Sequence, residues 1–295
     1  MKVVGVIGGS GLYEMEGMTK VKEVRVKTPF GAPSDAYITG ELGDVKMIFL
    51  PRHGRGHRFT PSEVNYRANV YGMKKLGAEW IISVSAVGSM KEEIKPGHIV
   101  IVDQFFDRTK GRPSTFYGNG IAGHVEFANP VCGSLSGALR GAAAKAGATT
   151  HMGGTYVCIE GPQFSTRAES RIYRSWGVDV IGMTNIPEAK LAREAEICYA
   201  TLALATDYDC WHVTEESVTV EAIIATLKAN VALAKEIIRL AVPEINPARS
   251  CRCPEALKYA TITDKKKIPA KTRAALGLLI GKYLVEKRGK TGGRK

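Results

Sequence analysis

Two carboxylates at i and i+2, Asp207 and Asp209, close the segment Thr206-Asp207-Tyr208-Asp209. Residues 199–205 before it are short, apolar and uninterrupted, the pattern of a parallel strand buried on both faces. In extended chain the side chains at i and i+2 share a face. Both carboxylates are therefore expected to project from the carboxyl end of that strand, where open α/β sheets bind ligands. Such a pair can grip the polar edge of a ring. One helix earlier, a short turn carries Met183 and Thr184 and leads into Pro187-Glu188. Proline suits a first helical turn, and glutamate complements the positive end of the helix dipole. A turn of that kind can hold an anion.

Three more segments carry anion-binding chemistry. Residues 3–7 form a buried strand that runs into Gly8-Gly9-Ser10-Gly11, a turn able to offer backbone N–H groups and one hydroxyl. It matches neither a P-loop nor GxGxxG, and tight packing alone would also explain it. Residues 44–50 form a strand that enters Pro51-Arg52-His53-Gly54-Arg55-Gly56-His57-Arg58. The planar fork of an arginine suits phosphate oxygens, and a histidine can donate a further hydrogen bond. Residues 80–89 form a strand running into a turn of small residues, Ser85-Ala86-Val87-Gly88, which a ligand could approach closely. Phe164 stands beside the turn that opens a helix after Glu160-Gly161-Pro162.

The elements that position these segments alternate between strand and helix. Helices are predicted from Thr60 to about Leu76, with Val64, Ala68 and Tyr71 facing inward, and over residues 134–146, 189–197, 222–240 and 274–285. Further strands are predicted over 98–103 and 153–159. Residues 109–123 form a polar, glycine-rich loop long enough for a lid or a subunit contact. The alternation implies one α/β domain over residues 1–245, an extension with a helix over 246–286, and a basic disordered tail over 287–295.

Charge and cysteine usage narrow the function class. The net charge is +12, but residues 246–295 hold fourteen basic against three acidic side chains. Eleven of the twelve charges thus sit in the extension and tail, which reads as a solvated terminus. No zinc-finger, helix-turn-helix or aromatic-basic pattern accompanies them, which argues against nucleic acid as the main partner. Neither a membrane span nor a signal peptide is evident, so a cytoplasmic protein is expected. Of six cysteines, only Cys251-Arg252-Cys253 is closely spaced, and no CxxC pair occurs, so no metal site is expected. Cys132, Cys158, Cys198 and Cys210 read as reduced core residues, with disulfides left open.

Taken together, Gly8-Gly9-Ser10-Gly11, Arg52-His53-Gly54-Arg55, Ser85-Ala86-Val87-Gly88, Glu160-Gly161-Pro162, Met183-Thr184 with Pro187-Glu188, and Thr206-Asp207-Tyr208-Asp209-Cys210-Trp211 carry a resemblance. Over residues 3–240 the chain resembles the 5′-methylthioadenosine phosphorylases of the purine nucleoside phosphorylase superfamily. The resemblance implies a three-layer α/β fold whose central mixed sheet has a barrel-like portion flanked by helices, assembled as a homotrimer or a dimer of trimers. It implies that Ser10, Arg52, His53, Ser85, Ala86 and Thr184 bind phosphate, that Met183 lies against the ribose and Phe164 near the base, and that Asp207 and Asp209 face the purine. Asp207 would be the general acid. His57, Val220 and Ile223, with His124 of the partner subunit, would line the pocket for the 5′ group, and Ser165 and Val220 would influence specificity. Phosphate is a co-substrate, and no cofactor or metal is implied. Two alternatives stand beside this: a phosphorylase of 6-oxopurine nucleosides such as inosine or methylthioinosine, and a basic nucleic-acid-binding protein.

Overall fold

The structure, a computed structural model, describes residues 1–9, 11–212 and 220–284, with only the backbone of residues 220–224. An 11-stranded mixed sheet forms the middle layer. Its strands are β1 (Lys2–Gly8), β2 (Thr19–Val24), β3 (Tyr37–Leu42), β4 (Val45–Pro51), β5 (Trp80–Ser89), β6 (Ile99–Ile101), β7 (Gln104–Arg108), β8 (Thr150–Met152), β9 (Thr155–Ile159), β10 (Val180–Gly182) and β11 (Cys198–Tyr208). The helices are α1 (Tyr66–Lys75), α2 (Gly133–Lys145), α3 (Arg167–Ser175), α4 (Asn185–Glu194), α5 (Val220–Glu244) and α6 (Ala270–Leu284).

The sheet branches at β5, whose first half pairs with β1 and whose last residues pair with β10, while β11 runs parallel along the other edge. Two residues separate β6 from β7 and β8 from β9, so the ladders β6–β8 and β7–β9 are two halves of one bent pair. The ring through β5, β10, β9, β8, β6 and β11 closes on itself. It is the barrel-like portion of the fold, and closure leaves few open strand edges.

Strand β11 shows how the layers are held. Tyr199, Ala203 and Ala205 enter the core shared with α1 and α4, while Cys198, Ala200, Leu202 and Leu204 enter the core beneath α2 and α5. A strand apolar on both faces belongs in the centre of three layers. Leu257, Ile268, Leu276, Leu279 and Ile280, from the extension, pack into the first of these cores.

Several boundaries differ from the sequence pattern. Thr60 and Glu63 bond to each other in a turn, and α1 starts only at Tyr66, where the Asn65 side chain accepts from the Ala68 N–H. Residues 85–88 do not turn but continue β5 to Ser89. Strands β2 and β3, which lead the sheet from its β4 edge, were not anticipated. Among the described residues no helix is long and apolar enough to cross a membrane.

Candidate active site

Strands β4, β1, β5 and β11 are mutually parallel neighbours, so their carboxyl ends, at Pro51, Gly8, Ser89 and Tyr208, lie along one rim. Strand β10 runs antiparallel to β5 and returns the chain at Met183 and Thr184 to the same place. The segments singled out in the sequence therefore meet where a parallel sheet offers a crevice. Within β5, Ser85 and Val87 are buried while Ala86 between them is exposed. An exposed alanine in the central strand of such a sheet marks an open cleft floor.

Beside Ala86 lies a cluster of hydroxyls. Ser85 Oγ is 3.2 Å from Thr184 Oγ1 and 3.1 Å from the Tyr156 hydroxyl, and all three residues are buried. Tyr156 comes from β9, and its hydroxyl occupies the space where a side chain at Gly182 would begin, only 2.0 Å from an ideal Cβ. Glycine at 182 is thus required for this contact. Tyr156 escaped the sequence reading because an interior strand tyrosine carries no local signal.

Arg52 is placed differently from expectation. It is 2 % exposed, and its Nε and Nη2 grip the two oxygens of Glu188 at 2.8 and 3.0 Å. Nη2 also donates to Ser83 Oγ and Ile7 O, and Nη1 to Val84 O. The fork that was expected to face phosphate faces a protein carboxylate. Among the described residues only one Nη1 hydrogen is left over for a ligand. Glu188 is fully buried and also accepts from Ser83 and Tyr199. Its first duty is this ion pair, not the helix dipole.

His53 bonds through Nδ1 to Phe59 O at 2.8 Å and stacks on exposed His57 with centroids 4.3 Å apart. Burial, helped by the Arg52 charge, pushes its pKa down to about 4. The ring is then neutral, with its one proton spent on a carbonyl. Nε2 is left as an acceptor, which can take a hydrogen bond from a protonated phosphate oxygen.

At the end of β11 a bulge inserts Thr206 between Ala205, which pairs with Val87, and Asp207, which pairs with Gly88. Bulges re-aim side chains beside active sites. Here both acids approach Gly88: an ideal Cβ there would lie 3.2 Å from Asp207 Oδ1 and 3.4 Å from Asp209 Cβ. The two are not equivalent. Asp209 is buried and accepts from Ser170 Oγ of α3. Asp207 is half-buried, with Oδ2 2.6 Å from Thr206 Oγ1. Burial raises both carboxyls above their ordinary range, opposed at each by its hydroxyl partner, and the charge of Asp209 raises Asp207 further.

Thr206 orients the Asp207 carboxyl: its Oγ1 donates to Oδ2 and also lies 3.2 Å from Val87 O.

The other expected residues are distributed around this rim. Met183 is half-buried, and its carbonyl accepts from Arg112 Nη1 at 2.7 Å. Buried Arg112, unmarked in the sequence, also holds Ile186 O and Glu160 O, and so fixes the turn bearing Thr184. Ser165 sits one contact from Asp209, its carbonyl accepting from Cys210 Sγ at 3.2 Å. The buried Ser165 Oγ has no partner among the described residues. Phe164 is 82 % exposed, outside the cleft of its own chain. His124 is exposed too, beside a surface cavity lined by Tyr117, Ile121, Phe127 and Lys190. Ser10 lies outside the described residues, as do the side chains of Val220 and Ile223 on the first turn of α5.

Known proteins match this chain over nearly its whole length. The family model described as "Phosphorylase superfamily" covers residues 3–243. The S-methyl-5′-thioadenosine phosphorylase of Geobacter sulfurreducens is 66 % identical over 284 residues, 96 % of this chain and 99 % of that one. The enzyme of that name from Koribacter versatilis is 58 % identical, covering 97 % and 98 %. Among solved structures, a methylthioadenosine phosphorylase from an antarctic soil metagenomic library superposes with a TM-score of 0.89 at 49 % identity, covering 94 % of this chain and 98 % of that one. A variant adenosine/methylthioadenosine phosphorylase from Schistosoma mansoni, in complex with methylthioadenosine, gives 0.78 at 36 %, covering 95 % and 98 %. With several parallel strand ends converging on one hydroxyl- and carboxyl-lined cleft, and with this breadth of similarity, the chain belongs to the phosphorylase superfamily.

Proposed function

We propose that the protein cleaves 5′-methylthioadenosine with inorganic phosphate, giving adenine and 5-methylthioribose 1-phosphate. The observation that carries the reading is the placement of Asp207 at the end of β11 beside Gly88, where burial raises its carboxyl pKa and the charge of Asp209 raises it further. A departing purine gathers negative charge, and a proton delivered to N7 lets it leave. With Thr206 donating to Oδ2, a protonated Asp207 would present one donor and one acceptor, which matches N7 and the exocyclic amine of adenine. A 6-oxo group would meet the acceptor oxygen and leave it unpaired.

Phosphate is received by the Ser85 and Thr184 hydroxyls over Ala86, with Ser10, His53 and the spare Nη1 hydrogen of Arg52 completing the set. Held beneath C1′, it attacks as the sugar becomes cationic, and its own charge stabilises that cation. Met183 lies against the ribose and Phe164 approaches the base. His57, Val220 and Ile223, with His124 of the partner subunit, line the 5′ group, and Ser165 and Val220 tune the choice there. The exposure of Phe164 and His124 supports a site completed between chains of a homotrimer or a dimer of trimers. A cytoplasmic setting fits the free cysteines.

Phosphate-dependent base release from methylthioadenosine, adenosine, inosine and methylthioinosine tests the reading. Adenine release from methylthioadenosine, with adenosine slower by an amount worth about 1–3 kcal/mol, is expected from a wall that senses one small apolar group. Faster release of hypoxanthine would overturn it in favour of a 6-oxopurine phosphorylase.

A further inference from the structure

At the other end of β11, about 30 Å from Asp207 at 3.3 Å per residue, four cysteines converge. Cys132 is the N-cap of α2 and Cys198 the first residue of β11. Cys251 and Cys253 follow α5 in the extension. Their four sulfurs lie within 4.8 Å of one another, and Cys198 Sγ is 3.4 Å from Cys251 Sγ. All four thiols are free, and Cys132, Cys198 and Cys253 are buried. We propose that these four residues bind one zinc ion.

Zinc–sulfur bonds of about 2.3 Å place the corners of a tetrahedron about 3.8 Å apart. The observed spacings bracket that value, so a metal can enter with shifts of about 1 Å or less at each sulfur. Four soft thiolates and no oxygen ligand select zinc over magnesium or calcium. Binding involves no redox step: each thiol releases its proton to solvent as its sulfur takes up the ion. The resulting site carries two negative charges. Cys132 stands at a helix N-terminus, which favours thiolate. Arg249 lines the adjoining cavity of about 260 Å³ together with Cys132, Cys198 and Cys251. Its buried Nε has no hydrogen-bond partner among the described residues. The same cavity gives the ion a route from solvent. Sequence spacing missed the site because only Cys251 and Cys253 are neighbours, and CxC is not a customary pair.

The competing arrangement is two disulfides. Those need sulfurs about 2.05 Å apart and an oxidant to take two electrons per bridge. Nothing in that chemistry asks all four sulfurs to be mutual neighbours, as a metal does.

The test is to purify the full-length protein in reductant with zinc present, remove unbound ion, and measure metal per chain. About one zinc is expected, with an X-ray absorption shell of four sulfurs, and cobalt-exchanged protein should show thiolate-to-metal charge-transfer bands. Cys251→Ser with Cys253→Ser should abolish the metal and lower Tm while phosphorolysis persists, whereas Cys210→Ser should keep the metal. Should the double variant fail to fold, the absorption shell and cobalt spectrum of the unaltered protein decide alone. Metal-free protein with reactive thiols at saturating zinc would overturn the proposal. Bridges Cys132–Cys198 and Cys251–Cys253, or any other pairing, in protein alkylated directly at lysis would overturn it equally.

Discussion

Burial raises the pKa of Asp207 and the charge of Asp209 raises it further, against the Thr206 hydroxyl bond that lowers it. Asp207→Asn keeps the shape but transfers no proton. We expect kcat to fall about 10²–10⁴-fold with a much smaller change in KM, and base analogues that leave without N7 protonation to be spared. Equal slowing on activated and natural leaving groups would remove the acid role. The pH profile follows from the raised pKa: activity should decline as pH rises through it, and the asparagine variant should lack that limb. Histidine 53 sets the opposite trend for stability. Its folded pKa, about 4, lies below the unfolded value near 6.5, so its contribution is present above that value and disappears as pH falls toward 4. Denaturant titrations from pH 7 to pH 4 should show a steeper loss for the parent than for His53→Asn.

At the scale of elements, buried polar knots hold the cleft together. Arg52, just past β4, binds the end of β1, the middle of β5 and, through Glu188, the start of α4. Removing one partner leaves an uncompensated buried charge. Arg52→Ala should cost about 3–5 kcal/mol of folding stability, read by urea denaturation. A variant stable as the parent but demanding far more phosphate would instead restore the direct anion contact that the sequence suggested. Tyr156 tests the hydroxyl cluster more gently. Tyr156→Phe keeps the ring and removes the bond to Ser85, at a cost of about 1 kcal/mol in stability. Its KM for phosphate should rise with little change in KM for the nucleoside.

For the molecule as a whole, the charge distribution separates catalysis from the basic terminus. Eleven of twelve net charges lie beyond residue 245, while every residue assigned to the cleft lies before it. Truncation after Glu286 should therefore leave kcat/KM for methylthioadenosine within about twofold of the parent. Any salt-sensitive binding of polyanions should fall. Lost phosphorolysis with retained polyanion binding would favour the nucleic-acid reading.

What the sequence determined by itself was the set of chain segments at the cleft. Glycine turns, an arginine-rich loop and a carboxylate pair after a buried strand are local signals, and local signals survive in one dimension. Apolar runs without alternation likewise identified β1 and β11 as buried strands. The polar, exposed β2 and the short β10 lacked such patterns and were invisible. Only the tertiary structure decided what each polar group does, because that depends on partners distant in the chain. The Arg52 fork meets Glu188, 136 residues away. Asp209 is buried and bonded to Ser170, while Asp207 is half-buried and bonded to its neighbour Thr206, though the two look alike in sequence. Four cysteines scattered over more than a hundred residues come within 4.8 Å because a helix start, a strand start and the segment after α5 share one corner of the sheet. Long-range packing creates these juxtapositions, and nothing in the spacing of residues along the chain encodes them.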